Sequence, residues 1–290
     1  MLRIADLSHT YPDGTRALDR VTLTVGAGLF GLLGPNGAGK STLMRTLATV
    51  QRPSGGGTAT LDDIDIIAEP MRLRRVLGYL PQDFGSYPRI TARALLDHLA
   101  VLKGVAGRGV RREAVDDLLA QVGLWEARGK PLTAMSGGMR QRFGIAQALI
   151  GRPRLLIVDE PTAGLDPGER FRCLDLIAAA GETAVVILST HLVADAAALC
   201  RQVAVLAGGR VLTGGAPAEL VAKLDGQVWR GEVARDVLPG LRASGALLWA
   251  QLVGGRTVAH VRADRAPLGF AAVRPSLEDA YFAAIGGAEG

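Results

Sequence analysis

Gly34-Pro35-Asn36-Gly37-Ala38-Gly39-Lys40-Ser41-Thr42 fits the pattern G-x-x-x-x-G-K-[ST], and its surroundings supply the context that pattern requires. The apolar run Leu29-Phe30-Gly31-Leu32-Leu33 predicts a buried strand directly before it. Thr42-Leu43-Met44-Arg45-Thr46-Leu47 opens a helical pattern after it. A glycine-rich turn matching by chance would lack that strand, loop and helix. Gly34, Gly37 and Gly39 put no side chain in the way, so loop N–H groups can converge as a nest on one anion. Those donors stand at a helix N-terminus, where orphan N–H groups and the macrodipole add to the pull on a phosphate.

The residue types sharpen the ligand. Lys40 supplies a mobile positive charge for β- and γ-phosphates, and the Ser41 hydroxyl suits Mg²⁺. Residues 34–42 are therefore expected to hold a nucleoside triphosphate with Mg²⁺. The loop alone leaves open what its hydrolysis drives.

Composition bounds the rest. A chain of 290 residues accommodates a main domain of roughly 200 residues plus an appendage. Hydrophobic residues make up 48% and charged residues 21%, which excludes a disordered chain. The net charge of +5 comes mostly from scattered arginines. No run of five or six forms, so a solvated basic surface is expected and no nucleic-acid partner. Cys173 and Cys200 lack metal spacing and read as buried thiols in a reducing compartment. The first residues do not resemble a secretory signal, and no uncharged run reaches the roughly 20 residues needed to span a bilayer.

Along the chain, Leu2 to Leu7 and Val21 to Val25 alternate as strands around the turn Pro12-Asp13-Gly14, which predicts an antiparallel start. Tyr11 precedes that turn and offers a ring face to a base. Asp62, Asp63 and Asp65 fall at a turn and read as a solvated loop. Val76 to Leu80 predicts a buried strand that delivers Gln82 to a sheet's carboxyl edge, where α/β proteins bind ligands. Two amphipathic helices are expected between Thr91 and Val122. Ser136-Gly137-Gly138 opens a further helix and makes a second anion-ready N-terminus, although Ser-Gly-Gly is also an ordinary cap. Leu155 to Val158 is an apolar strand ending in Asp159 and Glu160. Buried carboxylates are costly unless paired or bound to metal, so Asp159 is expected on Mg²⁺ and Glu160 on an attacking water. Gly164-Leu165-Asp166-Pro167 turns into a helix. A strand from Thr183 to Ser189 then ends at Thr190-His191, where the histidine can reach a γ-phosphate. A hairpin over Val203 to Thr213 closes this part.

Taken together, the loop, Gln82, Ser136-Gly137-Gly138, Asp159-Glu160, Gly164-Leu165-Asp166 and His191 resemble the ATP-binding subunit of an ABC transporter, over residues 1–220. The resemblance implies an α/β fold: a P-loop NTPase core with an antiparallel β subdomain, a helical signature subdomain inserted at about 88–150, and a small C-terminal α/β appendage over residues 221–290. It implies ATP and Mg²⁺ as ligands, with Tyr11 stacked on adenine. It makes Gln82 the residue sensing Mg²⁺ and the membrane partner, Glu160 the general base, Asp166 a D-loop residue and His191 the switch histidine. It further implies a head-to-tail dimer with a second copy, in which Ser136 and Gly138 of one subunit close on ATP held by the other's Lys40 loop. The chain would then sit at the cytoplasmic face of the membrane, held there by a transmembrane permease.

Met139 stands where the family usually carries glutamine, which leaves Ser136 and the phosphate-facing backbone unchanged. The end, Arg274 to Phe282, resembles exporter-type members, including antibiotic-resistance and sodium-efflux subunits. The rival is a soluble ABC-type ATPase acting on DNA or ribosomes. Chromosome-type members carry a long coiled coil and translation-type members two ATPase units in one chain, and neither is present.

Overall fold

The computed structural model describes residues 1–82, 85, 89–162, 164–190 and 192–286. In chain order the strands are β1 (Leu2–Thr10), β2 (Arg16–Val25), β3 (Gly28–Leu33), β4 (Thr58–Leu61), β5 (Ile64–Asp65), β6 (Leu77–Leu80), β7 (Leu155–Asp159), β8 (Val185–Ser189), β9 (Gln202–Ala207), β10 (Arg210–Gly215), β11 (Val228–Glu232), β12 (Leu247–Val253), β13 (Arg256–Arg262) and β14 (Ala271–Ala272). The helices are α1 (Lys40–Leu47), α2 (Pro70–Val76), α3 (Ala92–Leu102), α4 (Arg108–Gln121), α5 (Gly137–Leu149), α6 (Pro167–Gly181), α7 (Val193–Leu199), α8 (Pro217–Ala222), α9 (Leu238–Ala243) and α10 (Leu277–Gly286).

The central sheet runs in the order β10-β9-β3-β8-β7-β6. It is parallel from β9 to β6, with β10 closing one edge antiparallel. Strands β3, β7 and β8 are buried at every residue. Layers on both faces exclude water from a parallel sheet, which is why these segments are apolar runs and do not alternate. The expected strand from Val76 begins one residue later, because Val76 closes the short helix α2.

The antiparallel sheet has the order β2-β1-β4-β5 and contributes Leu2, Ile4 and Leu7 to the core that also packs α1. Asp62 and Asp63 are not merely solvated at its turn: Arg154 bonds Asp62 at 2.6 Å, and Arg72 pairs with Asp63. A separate core joins α3, α4 and α5 through Leu95, Leu96, Val115, Leu119 and the fully buried Phe143. The helical pattern at Thr91 to Val122 therefore folds onto the helix that Ser136 caps.

Beyond residue 221, β12-β13-β11-β14 form a third sheet, with Gly254-Gly255 turning the β12–β13 hairpin. Helix α10 does not stay with this sheet alone. Leu277 enters the core of the central sheet, and Ala280, Tyr281, Ala284 and Ile285 pack against it. Ser276 and Asp279 form a reciprocal cap: the Asp279 N–H donates to Ser276 Oγ at 3.2 Å, while the Ser276 N–H donates to Asp279 Oδ2 at 2.7 Å.

The same carboxylate is fully buried. It accepts from Trp249 Nε1 at 2.8 Å and faces His260 Nδ1 at 2.8 Å, with the two rings stacked 4.1 Å apart. Asp279→Ala strands these donors in a dry site and is expected to cost about 3 kcal/mol, read as a lower denaturation midpoint. A midpoint unchanged from wild type would show that the cluster contributes nothing to folding.

Both cysteines are free and buried, as expected. Burial raises Cys173 to about 11 and Cys200 to about 12, so neither is a nucleophile at neutral pH. Among the described residues no helix is long and apolar enough to cross a membrane.

Candidate nucleotide site

The site lies where β3, β7 and β8 end side by side. Leu32 and Asp159 are both in register with Ser189. The residues following these strands, Gly34 from β3, Glu160 from β7 and Thr190 from β8, therefore emerge at one carboxyl edge, where open α/β sheets bind ligands.

Two glycines of the loop are fixed by contact. At Gly34 a Cβ would sit 2.1 Å from the Leu206 carbonyl oxygen, and at Gly39, with φ +103°, it would sit 2.3 Å from that of Ala17. The loop is wedged between β9 and β2. Gly39 is the N-cap of α1, so Lys40, Ser41 and Thr42 form the helix's first turn, with N–H groups pointing toward the loop's concavity. Pro35 and Ala38 close the loop on itself through an N–H to carbonyl bond of 3.2 Å, and Asn36 and Gly37 form its exposed tip.

Lys40 Nζ donates to the carbonyls of Gly34 at 2.5 Å and Pro35 at 2.9 Å. Burial pushes its pKa down, and Asp159 and Glu160 oppose that shift. The ammonium is thus bonded to the loop and feels the charge of both carboxylates. Ser41 Oγ donates to Asp159 Oδ2 at 3.4 Å. Asp159 is 6% exposed. Burial raises its pKa, against hydrogen bonds from Ser189 and Ser41 and the charge of Lys40. A dehydrated carboxylate beside a hydroxyl is an all-oxygen donor pair that suits a hard cation, so these residues fit Mg²⁺.

Glu160 takes a left-handed conformation, φ +49°, and its N–H donates to the Ser189 carbonyl at 3.0 Å. Tyr11 stands beside α1: its hydroxyl is 3.0 Å from Thr42 Oγ1, and its ring meets His9 edge-on. Gln82 is exposed two residues past β6. His191 lies outside the described residues, although Thr190 Oγ1 accepts from the Leu192 N–H at 3.0 Å across that position.

The remaining predicted residues gather elsewhere. Ser136 Oγ caps α5 by accepting from the Met139 N–H at 3.2 Å, and Asp166 caps α6 by accepting from the Glu169 N–H at 2.8 Å. Glu169 links them: it pairs with Arg142 at 2.7 Å, and its carboxylate lies 2.9 Å from where a Cβ on Gly138 would stand. Ser136 and Gly137 are exposed. Gln141, absent from the predicted set, donates to the Pro161 carbonyl at 2.9 Å and to that of Glu160 at 3.4 Å. Its position on the helix behind Ser-Gly-Gly was the available signal.

A phosphate loop wedged between strands, with a hydroxyl and a carboxylate placed for Mg²⁺, defines a P-loop NTPase. Residues 18–163 match the ABC transporter family, and the chain belongs to it. The chain is 40% identical over 222 residues to the daunorubicin/doxorubicin resistance ATP-binding protein DrrA of Streptomyces peucetius. That similarity spans 75% of this chain and 66% of the relative, just short of two thirds of its length. It is 33% identical over 298 residues to Nod factor export ATP-binding protein I of Rhizobium etli, spanning 97% and 92% of the two chains. A bacterial ABC transporter cassette solved as a dimer superimposes with TM-score 0.69 at 25% identity, over 74% of this chain and 98% of that one. The expected α/β architecture, with its antiparallel and helical parts, is therefore that of an ABC ATPase.

Proposed function

We propose that this chain is the ATP-hydrolysing motor subunit of an exporter, coupling head-to-tail dimerisation of two copies to a separate membrane permease at the cytoplasmic face. The observation that carries it is the split of the functional residues into two groups. Lys40, Ser41, Asp159 and Glu160 converge at the sheet edge, whereas Ser136, Gly138 and Asp166 are tied together on α5 and α6.

The N–H groups of residues 34–42 cradle the triphosphate and Lys40 neutralises its β- and γ-oxygens. Tyr11 would stack on adenine, and Gln82 would help hold Mg²⁺ and report to the permease. Ser41 and Asp159 would hold Mg²⁺, which when bound would supply charge stabilisation on the β- and γ-phosphates. Glu160 takes a proton from water as its oxygen attacks the γ-phosphorus. The bond to the bridging oxygen breaks with its electron pair leaving on ADP. His191 contacts the γ-phosphate, and Ser136 and Gly138 of the second copy cover it from the other side. Residues 1–220 form this ATPase unit and 221–290 an accessory region. The drug-resistance and export roles of the two relatives support the outward direction.

Mixing Ser136→Arg with Lys40→Ala chains tests the shared site. Each variant alone is expected to be inactive. A mixture should recover up to about a quarter of wild-type ATPase, because half the dimers are heterodimers with one intact site of two. A mixture as inactive as its parents would refute the head-to-tail arrangement.

A further inference from the structure

Gln141 lies outside every set of residues given a role above, yet it touches the backbone that carries Glu160. A left-handed φ of +49° is disfavoured for an L residue other than glycine, so the surroundings must hold it. They do so from both sides. Before the Glu160 side chain, its own N–H is bonded to Ser189 on β8 at 3.0 Å. After it, Gln141 Nε2 donates to the Pro161 carbonyl at 2.9 Å, with the Glu160 carbonyl at 3.4 Å.

The second clamp comes from α5, which Ser136 caps. One residue further on, Arg142 locks the same helix. It pairs with Glu169 at 2.7 Å and donates to the carbonyls of Val122 at 3.0 Å and Gly123 at 2.9 Å. Its side chain is only 12% exposed, so the helix cannot turn without breaking a half-buried network. The end of α5 that presents Ser136 and Gly138 and the backbone that aims Glu160 are thus parts of one rigid piece.

We propose that Gln141 is a positioning residue for Glu160, coupling the seating of Ser136–Gly138 on the second copy's nucleotide to the aim of this chain's own carboxylate. The proposal rests on the reading of Glu160 as general base and of Ser136 as acting in trans. A small displacement of α5 on engagement moves the donor that fixes Glu160. Each site then hydrolyses faster once its own chain has engaged the other nucleotide, so the two sites fire cooperatively.

Three substitutions in the full-length chain separate hydrogen bonding from packing. Gln141→Met keeps length and loses the donor. Gln141→Glu keeps shape and offers only acceptors to two carbonyls. Gln141→Lys keeps a donor of similar reach. Expected are a kcat about tenfold lower for the Met and Glu variants, with KM and binding of a fluorescent ATP analogue within about twofold of wild type, and a Hill coefficient for ATP falling toward one. The Lys variant is expected to keep kcat within about threefold. Glu160→Gln, assayed alongside, separates the two levels. If it hydrolyses ATP at the wild-type rate, the base assignment falls and the proposal with it. If it is inactive while all three Gln141 variants keep wild-type kcat and cooperativity, positioning by Gln141 is overturned. The same holds if the Lys variant falls as far as Met, or if the losses appear only in KM and the thermal midpoint.

Discussion

Glu160→Gln is expected to bind ATP as tightly as the wild-type chain and to hydrolyse it at least about 10²-fold more slowly. The amide matches the carboxylate in shape, so the left-handed backbone and its bond to Ser189 persist. What is lost is a group able to accept a proton from water. Asp159 does not substitute for it. That carboxylate is buried and bonded to Ser41, and on the proposed reading it would hold Mg²⁺. The removed negative charge also lies near Lys40, so nucleotide affinity is expected to hold or rise. With binding intact and hydrolysis stalled, the ATP-bound dimer accumulates. Single-turnover kinetics and light scattering with and without ATP read the two effects. Hydrolysis at the wild-type rate would remove Glu160 from the role of base, and an inactive variant that stays monomeric with ATP would separate hydrolysis from dimerisation.

Most of this site was legible because it depends on residue type at fixed spacing. Apolar runs that end in polar residues announced β3, β7 and β8, and such strands deliver their last residues to one edge whatever lies between them. Helix α2 was not legible. It has seven residues, only Leu73 is buried, and a single buried position has no period; Pro70 at its start was the one sign. The turn at Glu160 was hidden for another reason. Glutamate carries no signal of a positive φ as glycine or asparagine would, and the conformation is imposed by β8 and α5 from distant parts of the chain. Likewise, the Ser276–Asp279 cap could be read from spacing, but not that Asp279 also receives Trp249 and His260 from the third sheet. Contacts between elements far apart in sequence leave no local pattern.

Gly39→Ala is expected to weaken ATP binding about 100-fold, and the reason lies outside the loop. The added Cβ would stand 2.3 Å from the Ala17 carbonyl oxygen, which belongs to a strand and has nowhere to go. Ala17 is itself hemmed in: a Cβ on Gly209 would come 2.8 Å from the same oxygen, and the Gly209 N–H bonds the Ala38 carbonyl at 3.1 Å. The phosphate loop, β2 and the β9–β10 turn therefore meet at one oxygen. Relief must come from the start of α1, which carries Lys40 and Ser41 away from both phosphate and Asp159. The folding cost, about 2 kcal/mol, combines the φ of +103° with the collision. Gly226→Ala isolates the first part, since its φ is +73° with nothing within 4 Å. That control is expected to lose about 1 kcal/mol and to keep its ATP affinity. Calorimetric titration with Mg-ATP and urea denaturation of both variants check the pair. If Gly39→Ala binds ATP like the control, the geometry of the loop does not depend on its contact with β2. The antiparallel sheet would then be a neighbour of the nucleotide site and not one of its walls.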